Sequence, residues 1–367
     1  MNIIKKLLKP AILALLLFFG SGSGSVSAGP VRQFRKLEVI NKCTYEIYPG
    51  FQTAPSHAKP IAGGGMKLAS GASALFELNS LEMDSLRVFP RTGCALIFNE
   101  QLQKDILKCE TCDCPLPHEL YKAQGAGGPT DGTQCRGIGG TPPCSVAELA
   151  FGKQDGQNDF YDLSFCDGAS KLSLDLKVSN FLPAWANIPP EFNCKNIHCP
   201  KFDFSKCPPE LELRNSKGTV VACKSICTAA TNAKDELLRE KEVPGYKAII
   251  HPHIRSILQQ QVRGLPMLDA VCCACGIGHE GGCTDPESHF CCAPGSPENG
   301  GQCFVEDWPL STTGERYDQI FKKQCPHAYS WQFDDHSSTY QCAMADFTVT
   351  FCAEQPAPPA PEPCIRE

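Results

Sequence analysis

Residues 347–352 read FTVTFC. Phe347, Val349 and Phe351 alternate with Thr348 and Thr350, the period of two that marks a half-buried β-strand, and Cys352 follows at once. The other end of the chain repeats the pattern. Leu37, Val39 and Asn41 alternate with Glu38 and Ile40, and Cys43 stands just beyond. Further in, Ala74, Phe76 and Leu78 alternate near a Gly-Ala-Ser turn, and Arg87, Phe89 and Arg91 alternate with Leu86 and Val88. Short strands at turn-punctuated spacing predict a mainly β protein with an antiparallel β-sandwich core. The 31 glycines and 30 prolines agree, since they favour turns over long helices. A hydrophobic fraction of 42% excludes disorder as the general state.

Cysteine supplies 24 of the 367 residues, a density that points to an oxidising compartment and to disulfides. Residues 1–28 read as a secretory signal peptide. Lys5, Lys6 and Lys9 precede an apolar run from Ala11 to Phe19 that is too short to span a bilayer, and Val26-Ser27-Ala28 is a small-x-small cleavage site. The expected mature chain starts at Gly29 and is secreted. It loses three lysines and no acid, which moves the formal charge from −6 to −9. So acidic a chain is a poor partner for nucleic acid or anionic lipid. No membrane span and no Asn-x-Ser/Thr sequon is present in the sequence. A monomer is expected.

The middle of the chain differs from its ends. Residues 109–144 hold five cysteines among many Gly and Pro residues and read as a stapled loop region. Residues 194–227 hold five more. The cysteine-free stretch 228–270 reads as helical: Asn232 is expected to cap a helix through Asp235 and Arg239, Val243-Pro244-Gly245 to break it, and a second helix to fit His253–Val262. Residues 353–367 form a Pro-rich tail with a lone Cys364.

Several segments, in order, resemble the thaumatin-like family, which includes osmotin and zeamatin. They are LEVINKCTYEIYPG (37–50), LRVFPRTGC (86–94), CETCDC (109–114), PPCSVAELAF (142–151), DFYDLSFCDG (159–168), CPPEL (207–211), ACKSIC (222–227), FCC (290–292), KKQCPHAYSWQFDDHSSTYQC (322–342) and FTVTFC. The resemblance implies a sandwich core at 29–193 and 326–352, with a disulfide-rich second domain at 194–325. That second domain carries a helical insertion at about 228–283. The implied disulfides are Cys43–Cys352, Cys94–Cys109, Cys114–Cys135, Cys194–Cys342, Cys199–Cys325, Cys207–Cys223, Cys227–Cys291 and Cys292–Cys303. The first of these would tie the first strand to the last and protect a sheet edge.

Eight cysteines have no counterpart in that framework. Cys272, Cys273, Cys275 and Cys283 are expected to form two bonds within the insertion. Cys112 is expected to pair with Cys144 or Cys166. Cys364 is left to a partner within or between chains.

By position, the resemblance also implies a cleft holding Arg87, Glu148, Asp162, Asp167 and one of Asp334 or Asp335, with Asp334 favoured. Carboxylates gathered in one groove repel, which pushes at least one pKa upward. A protonated carboxyl beside an ionised one is what glycoside hydrolysis requires. Glu148 would be the proton donor, Asp162 the nucleophile or base, and Arg87 the group holding the array and donating to sugar hydroxyls. Trp331 and Tyr161 are candidates to stack on sugar rings, whereas Phe160 is expected in the core.

No cofactor and no metal site is predicted. Cys109-x2-Cys112-x-Cys114 and Cys272-Cys273-x-Cys275 have ligand-like spacing, but an oxidising compartment favours disulfides. The expected function is binding of β-1,3-glucan in an acidic cleft, with weak endo-β-1,3-glucanase activity, in antifungal defence or cell-wall remodelling. The competing reading is a secreted, non-enzymatic interaction protein that engages a protein partner through the 228–283 insertion.

Overall fold

The computed structural model describes residues 32–54, 59–100, 103–114, 131–154, 156–185, 188–262, 265–272 and 305–353. The predicted signal peptide, nearly all of the tail, and Cys273, Cys275, Cys283, Cys291, Cys292, Cys303 and Cys364 lie outside the described residues.

Two five-stranded sheets carry the core. The first contains β1 (Phe34–Asn41), β3 (Ser73–Asn79), β10 (Leu174–Ser179), β11 (Ile197–Cys199) and β17 (Asp346–Phe351), in the order β11-β10-β17-β1-β3. The second contains β2 (Tyr48–Ala54), β4 (Ser85–Arg91), β7 (Val146–Ala150), β8 (Asp159–Ser164) and β16 (Tyr340–Cys342), in the order β16-β8-β7-β4-β2. Period-two alternation sends Leu37 and Val39 of the first sheet, and Leu86, Val88, Leu149 and Leu163 of the second, into one shared core. Aromatic edges interlock between the sheets: Phe51 meets Phe76 at 5.4 Å and Tyr161 meets Phe347 at 5.7 Å.

One ion pair also crosses the core. Arg35 on β1 donates to Asp159 on β8 at 3.1 Å, and both side chains are fully buried. Asp159 also accepts from the backbone N–H groups of Gly152 and Ala345, so most of its lone pairs are used. Such a pair adds little net stability, but removing one partner strands the other, at about 3–5 kcal/mol.

Among the described strands, pairing is antiparallel with one exception. β1 runs parallel to β17, with Leu37 opposite Phe347 and Val39 opposite Val349. Cys43–Cys352 joins the ends of these two strands. The expectation that this staple guards an edge is corrected by the strand order, because β17 lies in the middle of its sheet.

The smaller elements cluster beside the sandwich. A hairpin pairs β5 (Ala95–Asn99) with β6 (Lys104–Lys108). A three-stranded sheet joins β9 (Gly168–Ser170), β12 (Glu212–Arg214) and β13 (Val220–Lys224). A short hairpin pairs β14 (Gln261–Val262) with β15 (Leu265–Pro266). Among the described residues the α-helices are α1 (Ile226–Glu242), α2 (Pro252–Ile257), α3 (Met267–Cys272), α4 (Tyr317–Lys322) and α5 (Asp335–Ser338).

Two helix expectations change. Ser225, not Asn232, caps α1: its hydroxyl accepts from the Thr228 N–H, and Asn232 sits exposed in mid-helix. The second helix ends at Ile257, because Val262 pairs with Leu265 in the β14–β15 hairpin. The break before Pro244 stands where expected, with Val243 leaving helical geometry.

Eight disulfides join described residues. Six are Cys43–Cys352, Cys94–Cys109, Cys114–Cys135, Cys194–Cys342, Cys199–Cys325 and Cys207–Cys223. Cys112 pairs with Cys144. Cys227 pairs with Cys272, which replaces the expected Cys227–Cys291 bond and removes Cys272 from the set expected to pair within the insertion. The reason is helix packing. α3 lies against α1, so Cys272 at the end of one meets Cys227 in the first turn of the other, with Cα atoms 4.6 Å apart.

Candidate functional site

Strands β4, β7 and β8 are adjacent, and their registers align three charged residues. Arg87 lies opposite Glu148, and Glu148 lies opposite Asp162. Their chain neighbours Leu86, Val88, Ala147, Leu149, Tyr161 and Leu163 point into the core. The pleat therefore turns Arg87, Glu148 and Asp162 onto the other face. Directly opposed residues on antiparallel strands have Cβ atoms about 4.5–5.5 Å apart, so the three side chains interact.

Arg87 Nε donates to Glu148 Oε1 at 2.6 Å, and Nη2 reaches Asp167 Oδ2 at 3.5 Å. Asp167 sits in the turn from β8 to β9, before Gly168 at φ +107°, a conformation that favours glycine. Thr228 in the first turn of α1 donates to the Asp167 carbonyl at 3.1 Å, so the helix anchors that turn.

A fourth carboxylate arrives from the far side. Tyr329 lies alongside β8: its N–H donates to the Leu163 carbonyl, and its own carbonyl accepts from Phe165, both at 2.8 Å. Its hydroxyl donates to Asp335 Oδ1 at 2.6 Å and also contacts Thr339. Asp335, at the start of α5, thereby lies close enough to Asp162 for their charges to interact.

Asp334 is placed elsewhere. Its carboxylate takes Lys322 Nζ at 2.8 Å, both Ser330 donors and the Ser337 hydroxyl, so it serves a structural ion pair. The preference for Asp334 over Asp335 is thus corrected. The two are adjacent, but one is consumed by Lys322 and the other turns toward the row.

The electrostatics follow from burial and charge. Burial opposes the charge on Arg87, but Glu148 and Asp167 outweigh it and push its pKa up. Burial, then the Glu148 charge and the Asp335 charge, hold Asp162 well above the usual carboxylate range, with Arg87 pulling the other way. Burial also raises Asp167, against Arg87, and raises Asp335, against the Tyr329 hydrogen bond. Asp162 Oδ1 is buried with no hydrogen-bond partner among the described residues. Cys166 is a free thiol beside these acids, and burial pushes its pKa far up, so it is a poor nucleophile.

The aromatic expectations divide. Tyr161 is in the core at 1% exposure, with its hydroxyl on the Lys195 carbonyl, and cannot stack on a ligand at the row. Phe160, expected in the core, shares the outer face with Asp162 and is only partly buried. Trp331 is also partly buried, edge-on to Trp308 at 6.2 Å and Phe333 at 6.0 Å. It lines a narrow crevice with Cys166, Ile226 and Trp308. Two neighbours of the row were not foreseen in these places. Gln52 faces Arg87 across β2 and β4, a signal that only the strand register supplies. Tyr329 lies in the 322–342 segment, but nothing in its spacing shows it as the donor to Asp335. Among the described residues, no three His, Cys, Asp or Glu side chains gather to hold a metal ion.

Comparison with known proteins gives a consistent family. The sequence model of the Thaumatin family matches residues 41–236 and 269–353. A pathogenesis-related thaumatin-like protein 3.5 of Cryptomeria japonica is 27% identical over 94% of this chain and 98% of its own length. A protein of Prunus avium named glucan endo-1,3-beta-glucosidase is 27% identical over 85% of this chain and 88% of its own. Among solved structures, a laminaripentaose-producing beta-1,3-glucanase in complex with laminaritetraose matches 87% of this chain and 99% of its own, at 11% identity and a TM-score of 0.39. The thaumatin-like xylanase inhibitor TLXI matches 45% of this chain and 82% of its own, at 20% identity and a TM-score of 0.29.

Proposed function

The chain belongs to the thaumatin family, and on that premise we propose that it is a secreted protein that binds β-1,3-glucan at the Arg87–Glu148–Asp162 row and slowly hydrolyses it, acting on fungal-type walls in defence or in wall remodelling. The observation that carries this reading is the register. Three adjacent strands set a guanidinium and two carboxylates side by side on the face turned away from the core, and Asp167 and Asp335 close the group from either side.

Sugar hydroxyls are both donors and acceptors. Carboxylates accept from them, and the guanidinium N–H groups donate to them, with the charge strengthening each bond. Hydrolysis needs one protonated and one ionised carboxyl close together. Directly opposed Glu148 and Asp162 meet the first demand, closeness, and the unequal distribution of charge around them meets the second. The relative named as a glucan endo-1,3-beta-glucosidase supports glucan as the substrate class. Eight disulfides among the described residues favour an oxidising, extracellular setting.

The test is laminarin. Wild type should bind insoluble β-1,3-glucan and release reducing ends from laminarin. Glu148→Gln and Asp162→Asn should each lower release by about 100-fold or more. Retention on glucan without release would remove the hydrolytic half of the reading. Absence of both would remove it entirely.

A further inference from the structure

The two carboxyls of the row are not equivalent. Arg87 Nε lies 2.6 Å from Glu148, whereas no cation lies within ion-pair distance of Asp162 among the described residues. Asp162 has carboxylates on two sides, Glu148 across the strand pair and Asp335 from α5. The other groups facing it are Tyr329, the Cys166 thiol, and Arg87 beyond Glu148. Its Oδ1 is sealed from solvent without a partner among the described residues. Two adjacent carboxyls that share a site do not both stay ionised, and the proton settles where the positive charge is absent.

We propose that Asp162, rather than Glu148, is the protonated carboxyl of this site and its donor toward the glycosidic oxygen, and that Asp335, held by Tyr329, is the positioning residue that keeps the proton there. This rests on the reading of the row as a glucan site. It reverses the roles that the family resemblance implies. Glu148, neutralised from one side by Arg87, is then the ionised partner. In hydrolysis the Asp162 proton goes to the glycosidic oxygen as its bond to C1 breaks, and the leaving sugar departs as an alcohol. The Glu148 carboxylate bonds to C1 as that bond breaks; water then gives one proton to the Asp162 carboxylate and its hydroxyl to C1 as the Glu148–C1 bond breaks, which restores the Asp162 acid and the Glu148 carboxylate.

Tyr329 has a clear place in this arrangement. Its hydrogen bond favours the charged form of Asp335, against burial. A charged Asp335 in turn disfavours a charged Asp162. The chain of influence runs from the hydroxyl of a tyrosine whose backbone is pinned to β8, through one carboxylate, to the proton on the next.

The deciding experiment needs no glucan. The mature protein is labelled with 13C at aspartate carboxyls, and the Asp162 resonance is assigned by its loss in Asp162→Asn. We expect Asp162 to remain protonated well above the ordinary value of about 4. We expect its midpoint to fall by about one pH unit in Asp335→Asn, where a like charge is gone, and by less in Tyr329→Phe. The alkaline limb of laminarin cleavage should move down with it in Asp335→Asn. A merely structural role for Asp335 would lower the amount of folded protein and leave that limb in place.

The proposal is overturned if Asp162 titrates in the ordinary range, or if its midpoint ignores Asp335→Asn. Should Asp335→Asn fail to fold, the wild-type titration decides alone. A protonated Asp162 in a protein that neither binds nor cuts glucan would leave the proton assignment standing and remove the glucan reading instead.

Discussion

Single residues were legible where the pleat decides and illegible where a bond partner decides. Glu148, Asp162 and Arg87 stand in strands whose apolar neighbours fix their side, so the sequence alone could have turned all three outward. The same parity, counted from Asp162, puts Tyr161 inward and Phe160 outward, the reverse of the stacking expectation. Tyr161→Phe should therefore cost about 1 kcal/mol in urea unfolding, from the lost bond to the Lys195 carbonyl, and leave glucan retention unchanged. Weaker retention would return Tyr161 to the site. Asp334 and Asp335 offered no such rule. They are consecutive at a helix start, and what separates them is a lysine at position 322 and a tyrosine at 329. Neither contact leaves a mark in residue spacing.

Among elements, the long strands were plain because alternation is a repeated signal. β1, β4 and β17 fall where apolar residues recur every second position, whereas the two-residue strands β14 and β15 are too short to show any period. Helix α1 shows how a local signal can be read in the wrong place. Asn232 precedes an acidic run and looks like a start, yet Ser225 holds the cap and the first turn already buries Ile226, Ala229 and Ala230. The apolar side of the helix begins among the cysteines, where the disulfide pattern masks the helical period. Ser225→Ala should destabilise the protein by about 1 kcal/mol. Asn232→Ala, in an exposed mid-helix position, should be neutral or stabilising by up to about 0.5 kcal/mol. Urea midpoints compare the two, and a larger loss at Asn232 would restore the original start. The Cys227–Cys272 bond belongs to this scale as well. It follows from α3 docking on α1, a packing event that cysteine spacing does not encode.

At the scale of the molecule, the sandwich was expected, but the order of its strands was not. Alternation says that strands exist and which face is apolar; it is silent on which strand lies beside which. The same scale governs the response to pH. Burial raises the carboxyl pKa of Asp159, Asp162, Asp167 and Asp335 above their unfolded values. The folded chain then binds protons more tightly than the unfolded one, so the stability these groups carry is fullest below about pH 4 and is lost as pH climbs through the raised values. Glu210 is opposite: its bonds to Thr312 and Tyr317 overcome burial and lower it, so its contribution fades only on acidification below its ordinary value. The melting temperature should consequently be higher at pH 5 than at pH 7, and a flat or rising profile between them would contradict this account. The position of β17 has a further consequence. Residues 346–351 fill the centre of a sheet between β10 and β1, with Val349 fully buried. Until β17 is in place, the first sheet is two separate pieces, and β1 and β10 each offer a bare hydrogen-bonding edge. A chain that has not yet inserted β17 therefore carries its core unsealed, with two sticky edges facing one another across the gap.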